Sequence, residues 1–543
     1  MPETTPTDQV PPPEPAGRAP SPVPGQVPPS VWDAPLNGYR PPLHPVKPPQ
    51  PGWVVAIRAR PAPAPGPRVL LAALVVGLLS AVLLNGAVAA NLLLVAVAAA
   101  VPAALSARAA GRRVRPWTAL WALGALALLA VPLLSDAGWP SLLAVTAALA
   151  LASLGLHGGR TWAGVLLGGI GTCWQVLPSL PAAAAAVRSV AMPDRARWLP
   201  AVRAVLATAI LLAVFGSLFA AADPAFGDLF AGLSPQLPFG WDLIGRVLVF
   251  LGGTAVALGA ARTAAAPVRY DRLPVRPATP RRLLEWAVPL AVLDLLFATF
   301  IGLQLAVLFG GYRRLIKETG LTYAEYARQG FWQLLWVTLL TLVVVAVAHR
   351  WAPRATGRDR AAVRVLLGLL CALSLGVVGA GLLRMRHYVD AYGLTQLRVW
   401  VTGVELWLAL LFVLLLVAVL TRRTGWLPRA VAASAALAAL VYGLVSPDAL
   451  VAQQNVDRYR ASGRIDLAYL RTLSADAVPA LDQLPEAERN CALHRISERV
   501  GESVPWYATS LSTAEARRIL AARPLTDDLT GCPADDEPGD AAP

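Results

Sequence analysis

Charge is scarce in this chain. Only 15% of its 543 residues are Asp, Glu, Lys or Arg, against roughly a quarter in an ordinary soluble domain. That shortage, beside a 56% hydrophobic content, excludes a soluble enzyme. Lysine is nearly missing, Lys47 and Lys317 being the two. Histidine is sparse and scattered, at 44, 157, 349, 387 and 494, which is poor material for haem or metal ligation. There is no GxxxxGK[ST] loop, HExxH, CxxC or GxSxG, so ATP hydrolysis, zinc proteolysis, thiol redox work and serine hydrolysis lack their reagents. No metal or other cofactor is expected.

What the chain has instead is long apolar runs, with a mean hydropathy of +0.55. Runs of the length that crosses a ~30 Å hydrocarbon layer fall at about 69–86, 89–106, 117–134, 140–157, 203–222, 241–261, 286–309, 331–349, 364–383, 400–420 and 429–446. Trp117, Trp139, Trp241, Trp286, Trp332, Trp351, Trp400 and Trp426 stand at their ends, where amphipathic rings prefer the headgroup level. The expected fold is an all-α, polytopic bundle of about eleven spans in the lipid bilayer of a plasma membrane.

Two flanking regions differ in composition. Residues 1–67 hold 22 of the 48 prolines and too few aliphatic clusters to offset chain entropy, which predicts a disordered tail. Its start offers no short apolar stretch with a cleavage site or lipid-acceptor Cys, so neither a signal peptide nor a lipoprotein anchor is expected. Residues 448–523 are polar with helical spacing around Ala449–Ala461, Leu467–Leu473 and Glu486–Val500, which predicts a helical appendage. An acidic tail, 524–543, follows.

The net charge of +14 divides into +2 over residues 1–68, +18 over 69–447 and −6 over 448–543. The excess lies in loops between spans, where it sets orientation, and gives no support to nucleic-acid binding. Residues 163–187 decide the topology. They are apolar enough to cross, yet Gly168, Gly169, Pro178 and Pro181 interrupt them. If they do not cross, 23 basic residues lie on the tail side and seven opposite; if they do, the split is 12 against 18. The first split predicts a cytoplasmic N-terminus, an extracytoplasmic C-terminus, and an interfacial or re-entrant element at 163–187.

Two loops on the positive-poor side are unusually basic. In the first, Arg313 and Arg314 precede Leu321-Thr322-Tyr323-Ala324-Glu325-Tyr326-Ala327-Arg328, where Thr322 and Glu325 have capping-box spacing. The second carries Arg384, Arg386, Tyr388, Tyr392 and Arg398. Arg398, Thr402 and Glu405 form a stripe into the tenth span, so Glu405 lies in the bilayer with Arg398 as its nearest partner in sequence. Anchoring at the headgroups and a structural ion pair explain these residues without a ligand; together they also make an outer-face site. Within spans, Asp242 and Arg246 share a face, whereas Asp294, ten residues before Gln304, has no local basic neighbour and needs an interhelical partner or a proton. Cys173 and Cys371 sit in apolar segments as small hydrophobes. Cys491 and Cys532 share the region expected outside, where a disulfide persists.

The stretches Val292-Leu293-Asp294-Leu295-Leu296-Phe297, Leu321 to Phe331, Arg384-Met385-Arg386, Ala391-Tyr392-Gly393-Leu394-Thr395, Asn455-Val456-Asp457-Arg458-Tyr459 and Leu473 to Pro479 together resemble a family of multi-spanning bacterial membrane proteins known only as a domain of unknown function. The Ala- and Arg-rich composition looks like that of actinobacterial members. The resemblance implies no activity, but it implies that both loops and the C-terminal helices form one unit.

Three functions remain. The concentration of unusual polar residues on one face favours a non-enzymatic envelope sensor, regulator or scaffold, with an envelope protein or small ligand as partner. A secondary transporter would use Asp294 and Glu405 as relays. A transferase acting on a lipid-linked substrate would use Glu325 or Asp390 as acid or base, with arginines clamping phosphate.

Overall fold

Prolines at the starts of apolar runs and glycines at their ends predict where helices begin and stop. The computed structural model describes residues 63–84, 86–113, 115–189, 241–274, 282–310, 331–352, 356–526 and 532, and the single positions 52, 200, 204, 207, 208, 211, 215, 216 and 219. The expected span at 203–222, the basic loop with Arg313, Arg314, Tyr323, Glu325, Tyr326 and Arg328, the N-terminal tail and nearly all of the acidic tail lie outside the described residues.

The long helices are α1 (Pro67–Leu83), α2 (Ala90–Ala109), α3 (Pro116–Leu134), α4 (Gly138–His157), α5 (Trp162–Ser189), α6 (Trp241–Ala265), α7 (Leu283–Gly310), α8 (Phe331–Trp351), α9 (Gly357–Tyr392), α10 (Gln396–Thr421) and α11 (Leu427–Leu444). Proline occupies the first turn of α1, α3 and α11, where its missing N–H has no helical partner to lose. A capping box of Thr356 and Asp359 opens α9. Among the described residues ten helices are long and apolar enough to cross a membrane, while α1, at 17 residues, is shorter. The architecture is an all-α polytopic bundle.

Small residues let the helices approach. A Cβ on Gly77 of α1 would stand 2.7 Å from the Phe250 carbonyl of α6, and one on Gly253 of α6 would meet Ser80 at 2.8 Å or less. Three apolar cores result: α1, α2, α5 and α6 around Val76 and Leu258; α3, α4 and α11 around Trp121, Leu154 and Ala439; and α7 to α10 around Phe297, Leu370 and Phe412.

Two expectations change. The basic segment from Arg384 to Tyr392 is not a loop: α9 continues through it for 36 residues in all. Nothing in Arg384-Met385-Arg386-His387-Tyr388-Val389 breaks a helix, and the first breaker is Gly393, at φ 82°. At 1.5 Å per residue α9 is about 54 Å long, so about 20 Å extends past a hydrocarbon layer.

The second change concerns α5. The glycines and prolines of 163–187 leave one continuous helix. Its glycines are contact points: a Cβ on Gly168 would meet Leu154 at 3.3 Å, and one on Gly171 the His157 ring at 2.7 Å. The Ser153 hydroxyl of α4 donates to Gly168 O at 2.6 Å and accepts from Thr172 N at 3.0 Å, inserting itself into α5's own hydrogen-bond ladder. All these neighbours belong to one end of the bundle. Gly164 abuts Asp271, Gln175 accepts from Arg262, and Ser179 and Ala182 face Gly66, Ala109 and Ala265. α5 is therefore laid across the bundle's end, although its length and composition suffice to cross a membrane.

At the opposite end the chain forms α12 (Pro447–Ser462), α13 (Leu467–Leu470), α14 (Val478–Leu481), α15 (Glu486–Gly501) and α16 (Leu511–Ala522). The apolar core of this appendage is continuous with the α9–α10 junction. Val451, Val456, Leu470, Leu473, Val478, Leu481, Leu493 and Ile496 share one apolar cluster with Met385 and Val389 of α9, Leu394, and Val401 of α10. Burying each such side chain stabilises by about 1.5–3 kcal/mol, so the appendage and the α9–α10 hairpin stand or fall together.

Candidate functional site

A helix end leaves its last carbonyls in need of donors. At the end of α9 those donors come from the appendage and from α10. Arg458 donates to Ala391 O at 2.7 Å, Asn455 Nδ2 to Leu394 O at 2.8 Å, and Arg398 to Gly393 O. The cations also complement the negative end of the helix dipole. Gln396, beginning α10, donates its N–H to the Tyr469 hydroxyl at 2.7 Å and its side chain to Asp448 Oδ1 at 2.5 Å. The buried Asp448 carboxylate takes Ser474 N on its other oxygen at 2.8 Å.

A second clamp holds the turn between α3 and α4. Asp476 accepts from Asp136 N at 2.8 Å and from the hydroxyls of Ser135 and Ser446, while Asp136 accepts from Ala475 N at 3.5 Å. Burial pushes the Asp136 carboxyl above its ordinary range, and the neighbouring Asp476 adds to this; the Ala475 N–H opposes.

Of the residues singled out in the sequence, Tyr388, Tyr392 and Arg398 are brought together. The two tyrosine rings lie 5.0 Å apart, and the Arg398 guanidinium sits 4.3 Å from the centre of the Tyr388 ring. Arg384 is half-buried and Arg386 exposed on the same stretch of α9.

The expected pair of Arg398 with Glu405 is not formed, because Gly393 O and Tyr388 hold the guanidinium. Glu405 is 3% exposed, and its Oε2 has no hydrogen-bond partner. It packs on bare backbone: a Cβ on Gly381 of α9 would lie 2.7 Å from Glu405 Oε1. Asp294 of α7 is likewise buried, both oxygens unpartnered, near Cys371 of α9. Positions 371 and 381 are about 15 Å apart along α9, so the two carboxylates occupy separate levels. Gln304 is half-buried on α7, Arg246 is exposed on α6, and the Asp242 side chain lies outside the described residues.

Cys491 and Cys532 are joined, with Cα atoms 5.5 Å apart. Of the other two cysteines, Cys371 is buried and Cys173 exposed on α5. Among the described residues no group of three or more His, Cys, Asp or Glu could hold a metal ion. The residues that sequence reasoning passed over as site members are Asp136, Asp448, Asn455, Arg458, Tyr469 and Asp476. Asn455 alone gave a signal, as an amide among Val451, Ala452 and Val456 on an apolar helix face.

Long helices that turn Leu71, Leu166, Leu296 and Trp336 outward define an integral membrane protein, since such surface needs lipid to cover it. The chain belongs to the family described as Domain of unknown function (DUF4153), which matches residues 122–484. That match takes in the bundle from α3 to α11, both clamps and the first half of the appendage. Neither the curated proteins nor the solved structures compared with the chain contain a match.

Proposed function

We propose that this protein is a non-enzymatic sensor or regulator of the bacterial envelope, in the plasma membrane, whose appendage receives an extracytoplasmic partner or small ligand and passes that event to the α9–α10 hairpin. The observation that carries this reading is the shared core and the clamp of Asn455, Arg458 and Tyr469 on residues 391–396. A surface that grips the end of a membrane helix by its backbone carbonyls is built to move with that helix. In this reading the N-terminal tail is cytoplasmic and α5 lies in the cytoplasmic headgroup layer.

Secondary transport is the second reading, favoured by the unpartnered Asp294 and Glu405, since buried carboxylates inside spans mark proton or ion pathways. The transferase reading would rest on Asp390, which is exposed on α9, and on Glu325, which lies outside the described residues.

Complementation of a deletion strain separates the readings. For the sensor, Arg458→Ala abolishes complementation at normal membrane abundance, while Asp294→Asn complements. The reverse pattern sinks the sensor and supports transport.

A further inference from the structure

At the end of the bundle away from the appendage, three arginines and a histidine line one cavity of about 120 Å³. Arg360 and Arg364 stand one turn apart on α9, Arg422 follows the last residue of α10, and His349 is in the last turn of α8. Thr424 adds a hydroxyl, and Val363, Ala418 and Val419 supply an apolar wall. No carboxylate is among the described lining residues. The nearest acid in sequence, Asp359, is engaged by the Thr356 N–H at 3.0 Å in the capping box.

The Arg364 Nε is buried and has no hydrogen-bond partner. A guanidinium cannot shed its proton to escape such a position, and a buried donor without an acceptor is unfavourable until one arrives. Arg422 caps α10 with a left-handed φ of 57°, a region that also suits Gly, Asn or Asp.

We infer that this cavity is a phosphate-binding site, filled by the phosphate of an anionic lipid headgroup or of a soluble phosphate compound. Planar guanidinium forks match phosphate oxygens two at a time. The volume has room for roughly eight to ten waters, enough for a phosphate group and the first atoms attached to it. This inference is independent of the sensor reading, since it concerns the opposite end of the bundle.

The test uses the full-length protein in neutral detergent, with two probes. Phosphatidylglycerol, against phosphatidylcholine, is titrated by native mass spectrometry; inorganic phosphate, against chloride at matched ionic strength, is titrated by thermal melting. Arg364→Met keeps the aliphatic stem, and Arg422→Asn removes charge while suiting the left-handed backbone, so the second variant is expected to fold even if the first does not. Arg423→Gln, at an exposed position outside the cavity, changes net charge equally. The expected result is saturable binding of one probe, weakened at least about tenfold in the cavity variants and unchanged in Arg423→Gln. Binding of the lipid alone assigns the source to a headgroup, and binding of inorganic phosphate assigns it to a soluble compound. Failure of both probes to bind, or equal weakening in Arg423→Gln, overturns the inference.

Discussion

Asn455 and Gly393 fit each other across the junction between appendage and bundle: a Cβ on Gly393 would lie 2.6 Å from Asn455 Oδ1, while the Asn455 amide donates to the next carbonyl, Leu394 O, at 2.8 Å. The turn from α9 to α10 thus has a shape that only a residue without a side chain permits, and Asn455 reads that shape.

Gly393→Ala should therefore hurt twice, through its φ of 82° and through the clash. Gly463→Ala provides the comparison, since Gly463 also has positive φ, 70°, but open space around it. We expect Gly463→Ala to cost about 1 kcal/mol and Gly393→Ala clearly more, read as protease release of the appendage from detergent-solubilised protein. Equal effects would mean that the Asn455 contact contributes nothing.

Acidity should act on the Asp136–Asp476 clamp. Asp136 has its carboxyl raised by burial first and by Asp476 second, so the folded state holds a proton that the unfolded state has already lost. Its contribution to stability is greatest below the ordinary value of 3.8 and is lost as pH rises to the raised folded value; above that it is constant. Asp136→Asn should remove this slope while keeping an acceptor for Ala475 N–H. Appendage release measured against pH should fall below the wild type's in the neutral range and converge with it in acid. Parallel curves would discard the assignment.

Glu405 and Gly381 make a pair whose coupling can be measured. Gly381→Ala should lower membrane abundance by forcing the Glu405 carboxylate aside. Combining it with Glu405→Ala should restore part of the loss, with a coupling of about 0.5–3 kcal/mol. Strict additivity would show that the carboxylate has room to move.

The Cys491–Cys532 bridge spans 41 positions, and a loop of that length contributes about 4 kcal/mol in the chain-entropy account. Cys491→Ser with Cys532→Ser should lower the melting temperature of the appendage. An impermeant reductant applied to intact cells should do the same if the appendage is extracytoplasmic. Protection from that reductant, with the bridge present after lysis into thiol-blocking buffer, would reverse the proposed orientation.

Span length and hydropathy made the bundle legible, because a membrane helix announces itself by apolarity alone. What hydropathy hides is a helix that outruns the bilayer. Arg384 to Tyr392 is polar enough to read as a loop, yet it contains no breaker and extends α9 into the seat of the appendage. The prolines of α5 misled in the other direction: neighbouring helices support its backbone, Ser153 among them. In sequence the three cavity arginines read only as orienting charge, since Arg360 and Arg422 are 62 positions apart and nothing local marks their meeting. The Arg398–Glu405 stripe was correct as helix geometry, but periodicity could not reveal that Gly393 O and Tyr388 compete for the guanidinium.

α9 carries two of the three cavity arginines near its first turns, the backbone under Glu405 in its middle and the seat of the appendage at its end. Two occupants at opposite ends of one rigid rod are not thermodynamically independent when either prefers a particular tilt of it. Whatever factor a partner on the appendage imposes on phosphate affinity, phosphate must impose on the partner in return. A rod about 54 Å long that tilts by about 5° swings one end relative to the other by roughly 5 Å, more than the reach of any hydrogen bond in the Asn455 clamp.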